Sequence, residues 1–157
     1  MFARDSDDLL VLEGNAAQTL SQLGRHQEAT EVYIRDIAVR ERSPLYGPSD
    51  NTTWRSRVSL GMTFVSMGKF SEAIPLLRDS LAAYDGMGLG PDHPLLGIIP
   101  PKYGRALLGA GRPAEAVPML QRSIAFRERK YGTFHFEIPF DLIELAKAYG
   151  QMGRGFG

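Results

Sequence analysis

Apolar residues recur at steps of three and four along most of this chain, a spacing that places them on one face of an amphipathic helix. A clear example runs through Ile74, Leu77, Leu81 and Tyr84. At three places a glycine follows one such stretch and precedes the next, where a left-handed helix end favours it. The pattern predicts seven helices, over residues 5–23, 26–42, 50–67, 70–85, 93–110, 113–130 and 135–152.

The helical stretches follow an internal repeat. One marker reads glycine, basic residue, two variable residues, glutamate and alanine, and it occurs at Gly24–Ala29, Gly68–Ala73 and Gly111–Ala116. These markers are 44 and 43 residues apart, and a fourth one starts at Gly153-Arg154. Each repeat is therefore predicted to be a helix, a tight turn, a second helix and a longer turn.

A second marker keeps the same register, because the longer turns carry glycine at 47, 90 and 132. A third marker pairs Ile37–Arg42 with Ile124–Arg129. After the longer turns, the residues able to cap the next helix are Ser49, Asp50 and Asp92.

Small residues stand seven positions before each tight-turn glycine, at Ala17, Gly61, Gly104 and Ala146. We expect them to let the paired helices approach closely. Since neither helix of a pair can bury its apolar face alone, stacked neighbours should share one core.

These features resemble the tetratricopeptide repeat (TPR) family. The long period and the turn Leu89-Gly-Pro-Asp-His-Pro94 are similar to the kinesin light chain subtype, whose repeats run to about 42 residues. The resemblance implies an all-α fold, a right-handed α-solenoid of antiparallel helix hairpins with about seven helices. It also implies a single array over residues 1–157, with repeats at 5–43, 44–86 and 87–130 and a partial fourth repeat at 131–157.

The sequence departs from this pattern at its end, where a fourth second helix should begin. One interpretation is an excerpt from a longer array, and the other is a last helix that serves as a terminal cap. The excerpt is favoured because a cap needs a polar outer face. Such a face has little room beside Phe140, Leu142, Ile143, Leu145, Ala146 and Tyr149.

A second departure is the pair Pro100-Pro101, which falls inside a predicted helix. A proline at 100 removes a hydrogen bond and clashes with the carbonyl of residue 96. We therefore expect a break near Gly97–Pro100, with a new helix starting at Pro101.

In the TPR family the first helices line a concave groove that holds an extended or helical peptide. Carried onto this register, the resemblance gives twelve groove candidates: Asn15, Gln18, Gln22, Arg55, Ser59, Met62, Ser66, Lys102, Arg105, Glu144, Lys147 and Gln151. Their polarity suits hydrogen bonds to a partner's backbone. Four of them are basic, so the hypothesis is a preference for partner segments that carry carboxylates. The alternative is that these residues form ordinary solvated helix faces.

The amino-acid composition only excludes certain partners and kinds of site. Among 157 residues, eighteen basic and eighteen acidic side chains cancel, so no overall field favours nucleic acid or an anionic membrane. There is no cysteine for a disulfide or a thiolate metal site. Without a secretory signal or an apolar run of spanning length, we expect a cytoplasmic protein.

No constellation for catalysis is evident. The histidines, His26, His93 and His135, all fall at turns, and no pair has metal-ligand spacing on one helix face. Gly86–Gly90 lacks the preceding strand that a phosphate loop requires. The sequence therefore predicts a non-enzyme with no cofactor and no metal.

Three functions stay open. The first is a scaffold that binds a peptide or partner protein in its groove. The second is a regulatory segment of a larger signalling protein, such as a kinase or an NTPase. The third is a self-assembly element that associates through the apolar last helix, residues 135–152.

Overall fold

A computed structural model describes the backbone of residues 2–153, and its side chains from Asp8 onward. Within these residues the chain forms seven α-helices and no strand. They are α1 (Phe2–Gln22), α2 (His26–Arg42), α3 (Asn51–Ser66), α4 (Phe70–Gly86), α5 (Pro94–Gly109), α6 (Pro113–Tyr131) and α7 (Ile138–Met152). The predicted helices differ from these by at most three residues at any end. The fourth repeat marker at Gly153-Arg154 runs outside the described residues.

The tight turns explain the glycine of the repeat marker. Gly24, Gly68 and Gly111 have φ of 78°, 73° and 75°, the left-handed region that costs glycine least. The next residue in each case donates its backbone N–H to a carbonyl five positions earlier, at 2.8–2.9 Å. This closes the end of one helix and reverses the chain into the next.

The other marker residues stabilise the start of the second helix. Arg25 Nη2 lies 2.6 Å from Glu28 Oε2, and Arg112 Nη2 lies 2.5 Å from Glu115 Oε2. The marker alanines Ala29, Ala73 and Ala116 are fully buried. The marker therefore combines a turn and a packing position at all three places, with an exposed ion pair at the first and the third.

Three residues after its glycine, each longer turn places a side chain that accepts a hydrogen bond from a backbone N–H two residues on, and at Asp50 and His93 this side chain is the N-cap of the next helix. Asp50 Oδ1 accepts a hydrogen bond from the Thr52 N–H at 2.8 Å. His93 Nδ1 does the same for Leu95 at 3.3 Å. His135 Nδ1 lies 3.4 Å from the Glu137 N–H. The expected cap at Asp92 is wrong, because its carboxylate pairs with Arg129 while His93 does the capping.

The helices form two compact units, residues 1–69 and 70–157. In unit 1, α2 packs against both α1 and α3. In unit 2, each helix from α4 to α7 packs against the next one along the chain. The unit 1 core is built around Ala17, Ala29, Tyr33, Val58 and Val65, and the unit 2 core around Leu77, Tyr84, Ile99, Leu107 and Leu120. The division into repeats within a single array remains a prediction.

Glycines mark the closest helix contacts in unit 2. A Cβ at Gly104 would stand 3.0 Å from the Leu120 side chain, and a Cβ at Gly97 would stand 2.2 Å from the Phe126 ring. The prediction that Gly104 allows close helix packing is thus confirmed. At the equivalent position of α7, Ala146 is exposed, because no described helix covers that face.

The expected break at Pro100-Pro101 is wrong, because α5 is continuous from Pro94 to Gly109. Two prolines do remove the donors for the carbonyls of residues 96 and 97, at a cost of about 3 kcal/mol or more each in an ordinary helix interior. Here α5 is covered by α4 and α6, and Ile99 and Pro100 are almost fully buried. A break would expose them, so packing overrides the local preference.

The glycine contacts generate a matched prediction. Replacing Gly97 with alanine should destabilise the fold by about 1–3 kcal/mol, because the methyl group overlaps the buried Phe126 ring. Replacing Gly14, which also lies inside a helix but has open space, should stabilise it by about 0.5–1 kcal/mol. Urea unfolding of both variants measures the difference. Equal shifts of the same sign would contradict the close contact of α5 with α6.

Candidate functional site

A cleft of about 240 Å³ lies in unit 1 between α1, α2 and α3. Four of the twelve predicted groove residues line it: Asn15, Gln18, Arg55 and Ser59. The register of the first helices therefore brought part of the predicted site together. The remaining lining comes from Leu10, Val11, Gly14, Tyr33, Arg40, Tyr46, Thr52 and Ser56.

A buried ion pair fixes Arg40 in the wall of this cleft. Arg40 Nε lies 2.9 Å from both carboxylate oxygens of Asp36, one helical turn earlier on α2. Arg40 Nη1 donates to Thr52 Oγ1 at 3.0 Å, and Ser56 Oγ donates to Asp36 Oδ2 at 2.5 Å. Tyr46 stacks against the guanidinium, whose carbon lies 5.1 Å from the ring centroid. Arg40 is thus held rigidly by α2, α3 and the turn between them.

The phenol of Tyr33 is a neutral hydrogen-bonding group in the same cleft. Burial raises the pKa of Tyr33, and Asp36 adds to this, while a hydrogen bond with Ser59 opposes it. Tyr33 therefore keeps its O–H at neutral pH. Together with Asn15 and Gln18, it gives the cleft donors that do not depend on pH.

Arg55 supplies the surplus charge of the cleft. It is exposed on α3 and forms no hydrogen bond or ion pair with the part of the chain that the structure describes. None of the described lining residues carries a carboxylate. Since Asp36 already pairs with Arg40, no carboxylate among the described side chains compensates the positive charge of Arg55. The arrangement suits an anionic group that enters from solvent.

The corresponding surface of unit 2 is compensated in part. Lys147 Nζ lies 2.8 Å from Glu144 Oε1, so two predicted groove residues neutralise each other. Burial lowers the pKa of Lys102, repulsion from Arg105 lowers it further, and Glu137 opposes the shift. The expected positive surface is therefore uneven, because Lys147 and Lys102 lie near carboxylates, whereas Arg105 is exposed and forms no ion pair within the described residues.

The other predicted groove residues do not line the unit 1 cleft. Gln22 and Ser66 are exposed at the ends of α1 and α3, and Ser66 Oγ donates to the Met62 carbonyl at 3.2 Å. Gln151 is exposed near the end of α7. Their assignment as binding residues remains a prediction.

Sequence reasoning missed Arg40, Tyr46 and Thr52 as cleft residues. Arg40 belongs to the repeat marker Ile37–Arg42, so its recurrence at Arg127 was a signal for a buried role. Tyr46 and Thr52 flank the longer turn, and only the path of that turn brings them to Arg40. No sequence spacing gives that path.

Comparisons with known proteins agree with this geometry. A tetratricopeptide repeat family profile matches residues 7–86, which is half of the chain, and a second one matches residues 104–137. The chain belongs to the tetratricopeptide repeat family. A comparison with curated proteins finds no match.

Solved structures show the same fold. The chain is 24% identical to the TPR-like repeats of a putative kinesin light chain from Podosopora anserina, with a TM-score of 0.77. The match covers 92% of this chain and 67% of that one. A second crystal structure of those repeats gives 23% identity over the same shares, with a TM-score of 0.73. The predicted fold class, an all-α solenoid of helix hairpins, and the likeness to kinesin light chain repeats are confirmed.

Membership of the TPR family sets the class of function. TPR repeats are generally protein–protein interaction modules, and their fold is typically a non-enzymatic scaffold. Within the described residues, no group of three or more metal-ligating side chains is gathered, and no helix is long and apolar enough to span a membrane.

The surroundings of Lys102 give a prediction for this TPR chain. In a carbon-13 NMR titration of labelled lysines, the pKa of Lys102 should lie below the ordinary lysine range, because its ammonium is partly buried. Replacing Arg105 with glutamine should raise that pKa only part of the way to the ordinary lysine value, since burial is the larger cause of the shift. A Lys102 that titrates in the ordinary range in both proteins would contradict the geometry.

Proposed function

We propose that this chain holds a partner protein through the unit 1 cleft, and that the partner segment carries a carboxylate. The observation that carries the proposal is the exposed guanidinium of Arg55, which has no ion-pair partner among the described side chains, beside a cleft whose described lining holds no carboxylate. Family membership supports a protein partner, and the cleft supplies the chemistry that selects it.

The cleft is suited to a backbone as well as to a charge. The side-chain amides of Asn15 and Gln18 can donate to and accept from a peptide group. Leu10 and Val11 provide apolar contact on the same side. The segment would thus be held by its main chain and selected by one charged group. Binding of this kind weakens with salt, because Arg55 lies at the exposed rim.

The remaining groove candidates, the regulatory context and the cytoplasmic location stay predictions. A regulatory TPR segment in a kinase or an NTPase would use the same cleft, with the partner segment supplied by its own protein. The ion pair of Lys147 with Glu144 supports assigning the carboxylate preference to unit 1 and not to the surface around Lys147.

The test is a diverse peptide array probed with the purified chain. Bound peptides should be enriched in aspartate and glutamate, and Arg55→Glu should weaken their binding by at least about tenfold, because the rim charge is reversed. Arg35→Glu is the matched control, since Arg35 is exposed on α2 outside the cleft. Equal losses in the two variants, or no acidic enrichment, would refute the proposal.

A second candidate, self-association, is favoured by the outer face of α7. Phe140, Leu142 and Ile143 are 65%, 49% and 53% exposed, next to exposed Ala146. An apolar surface of this kind marks an interaction site or an aggregation risk.

Light scattering after size-exclusion chromatography tests the second candidate over a concentration series. The wild-type mass should rise with concentration, and Ile143→Glu should keep the chain monomeric by placing a charge on the face. Ile34→Glu is the control, because Ile34 on α2 is 51% exposed. A monomer at all concentrations would remove the candidate.

A further inference from the structure

Three buried or half-buried positions recur wherever the second helix of one repeat meets the first helix of the next. We call each such contact a junction. The first position is Asp36, Ser80 or Ser123, and the second, four residues later, is Arg40, Tyr84 or Arg127. The third lies nine residues after the longer-turn glycine, on the following helix: Ser56, Ile99 or Asp141.

The first junction, α2 with α3, carries its acid on the second helix. Asp36 is fully buried, is bound at both oxygens by Arg40 Nε, and accepts a hydrogen bond from Ser56 of α3. One carboxylate, one guanidinium and one hydroxyl thus satisfy each other across the contact.

The third junction, α6 with α7, has the same three groups with two of them exchanged, and Arg127 Nε also lies 3.2 Å from Glu137 Oε2 in the turn before α7. Here the serine is on the second helix and the acid is on the following helix, where Ser123 Oγ donates to Asp141 Oδ2 at 2.7 Å. Arg127 Nη1 contacts both Ser123 and Asp141. Burial raises the pKa of Asp141, and the hydrogen bond from Ser123 and the charge of Arg127 oppose this. The carboxylate therefore depends on these partners.

The middle junction, α4 with α5, has no charge at these positions. Tyr84 and Ile99 are almost completely buried there, and Ser80 Oγ donates to the Leu76 carbonyl of its own helix. The three junctions are thus chemically different from one another, although their helices share one register.

We propose that the exchanged acid and serine form a pairing code that lets α2 and α6 each accept its own following helix and not the other's. If α2 met α7, Asp36 and Asp141 would share one arginine, and one buried carboxylate would be left over. If α6 met α3, Arg127 would be buried between Ser123 and Ser56 with no carboxylate. A buried charge without its partner is strongly destabilising, so these two wrong pairings are disfavoured.

The code addresses a hazard of repeat proteins, in which similar helices can pair in the wrong order or between two chains. If the junctions shared only the register of their apolar residues, such exchanges would be possible here. The proposal concerns folding fidelity and is independent of the partner that the chain binds.

The experiment exchanges the residues of one junction or of both. Asp36→Ser alone should lower the urea midpoint far more than Asp79→Ser, an exposed control, because Arg40 then lacks its carboxylate. Adding Ser56→Asp should recover most of that loss. In this double variant the three positions of the first junction hold the same residue types as those of the third. The helices of the two junctions could then exchange partners.

Refolding yield is the decisive measurement, followed through the native emission of Trp54 on α3 across a protein concentration series. The double variant should refold with a yield that falls with concentration, and the reciprocal Ser123→Asp/Asp141→Ser variant should do the same. Combining both exchanges makes the junctions distinct again, so the quadruple variant should recover the wild-type yield. Double variants that refold like wild type, or a quadruple variant no better than they are, would overturn the code.

Discussion

The left-handed glycine that follows α1, α3 and α5 is the constraint on which the remaining structure depends. At Gly24, Gly68 and Gly111 the backbone has φ near 75°. Between α1 and α2, and between α5 and α6, so short a turn fixes the relative height of two antiparallel helices, so the alanine of the marker meets the same level of its neighbour in both pairs. Side chains that are small at that level then bring the helices close, as Gly104 does beside Leu120. Chain reversal, register and packing distance therefore follow from one backbone conformation.

The fixed register also carries polar groups into the core at set positions. Because residues equivalent to Asp36 and Arg40 face the next helix in every repeat, they must be either apolar or mutually satisfied. The first junction solves this with a charge network, and that network holds Arg40 at the edge of the unit 1 cleft. One side chain thus contributes to the stability of the fold and to the chemistry of the candidate site. Changes at Asp36 would alter both.

The repeat markers sufficed to predict the helices, because glycine turns and apolar periodicity act locally. The resemblance to the TPR family, carried onto the same register, predicted that Asn15, Gln18, Arg55 and Ser59 share a surface, because first helices line the groove in that family. Pro100 shows the limit of local reasoning: a cost of about 3 kcal/mol is outweighed by burial against two other helices. The pairing of Asp92 with Arg129 could not be predicted from local sequence either, because the two residues are 37 positions apart.

The net charge of zero conceals an asymmetry between the units. On α3 the cleft is lined by Arg55 and by three uncharged residues, Thr52, Ser56 and Ser59. Their equivalents near and on α7 are Glu137, Asp141 and Glu144, which stand close to basic residues of unit 2. Arg55 consequently keeps its charge available, whereas the charge of Lys147 is already satisfied. An anionic group should therefore bind with a more favourable free energy in unit 1, where it displaces only water. In unit 2 it must compete with carboxylates of the chain.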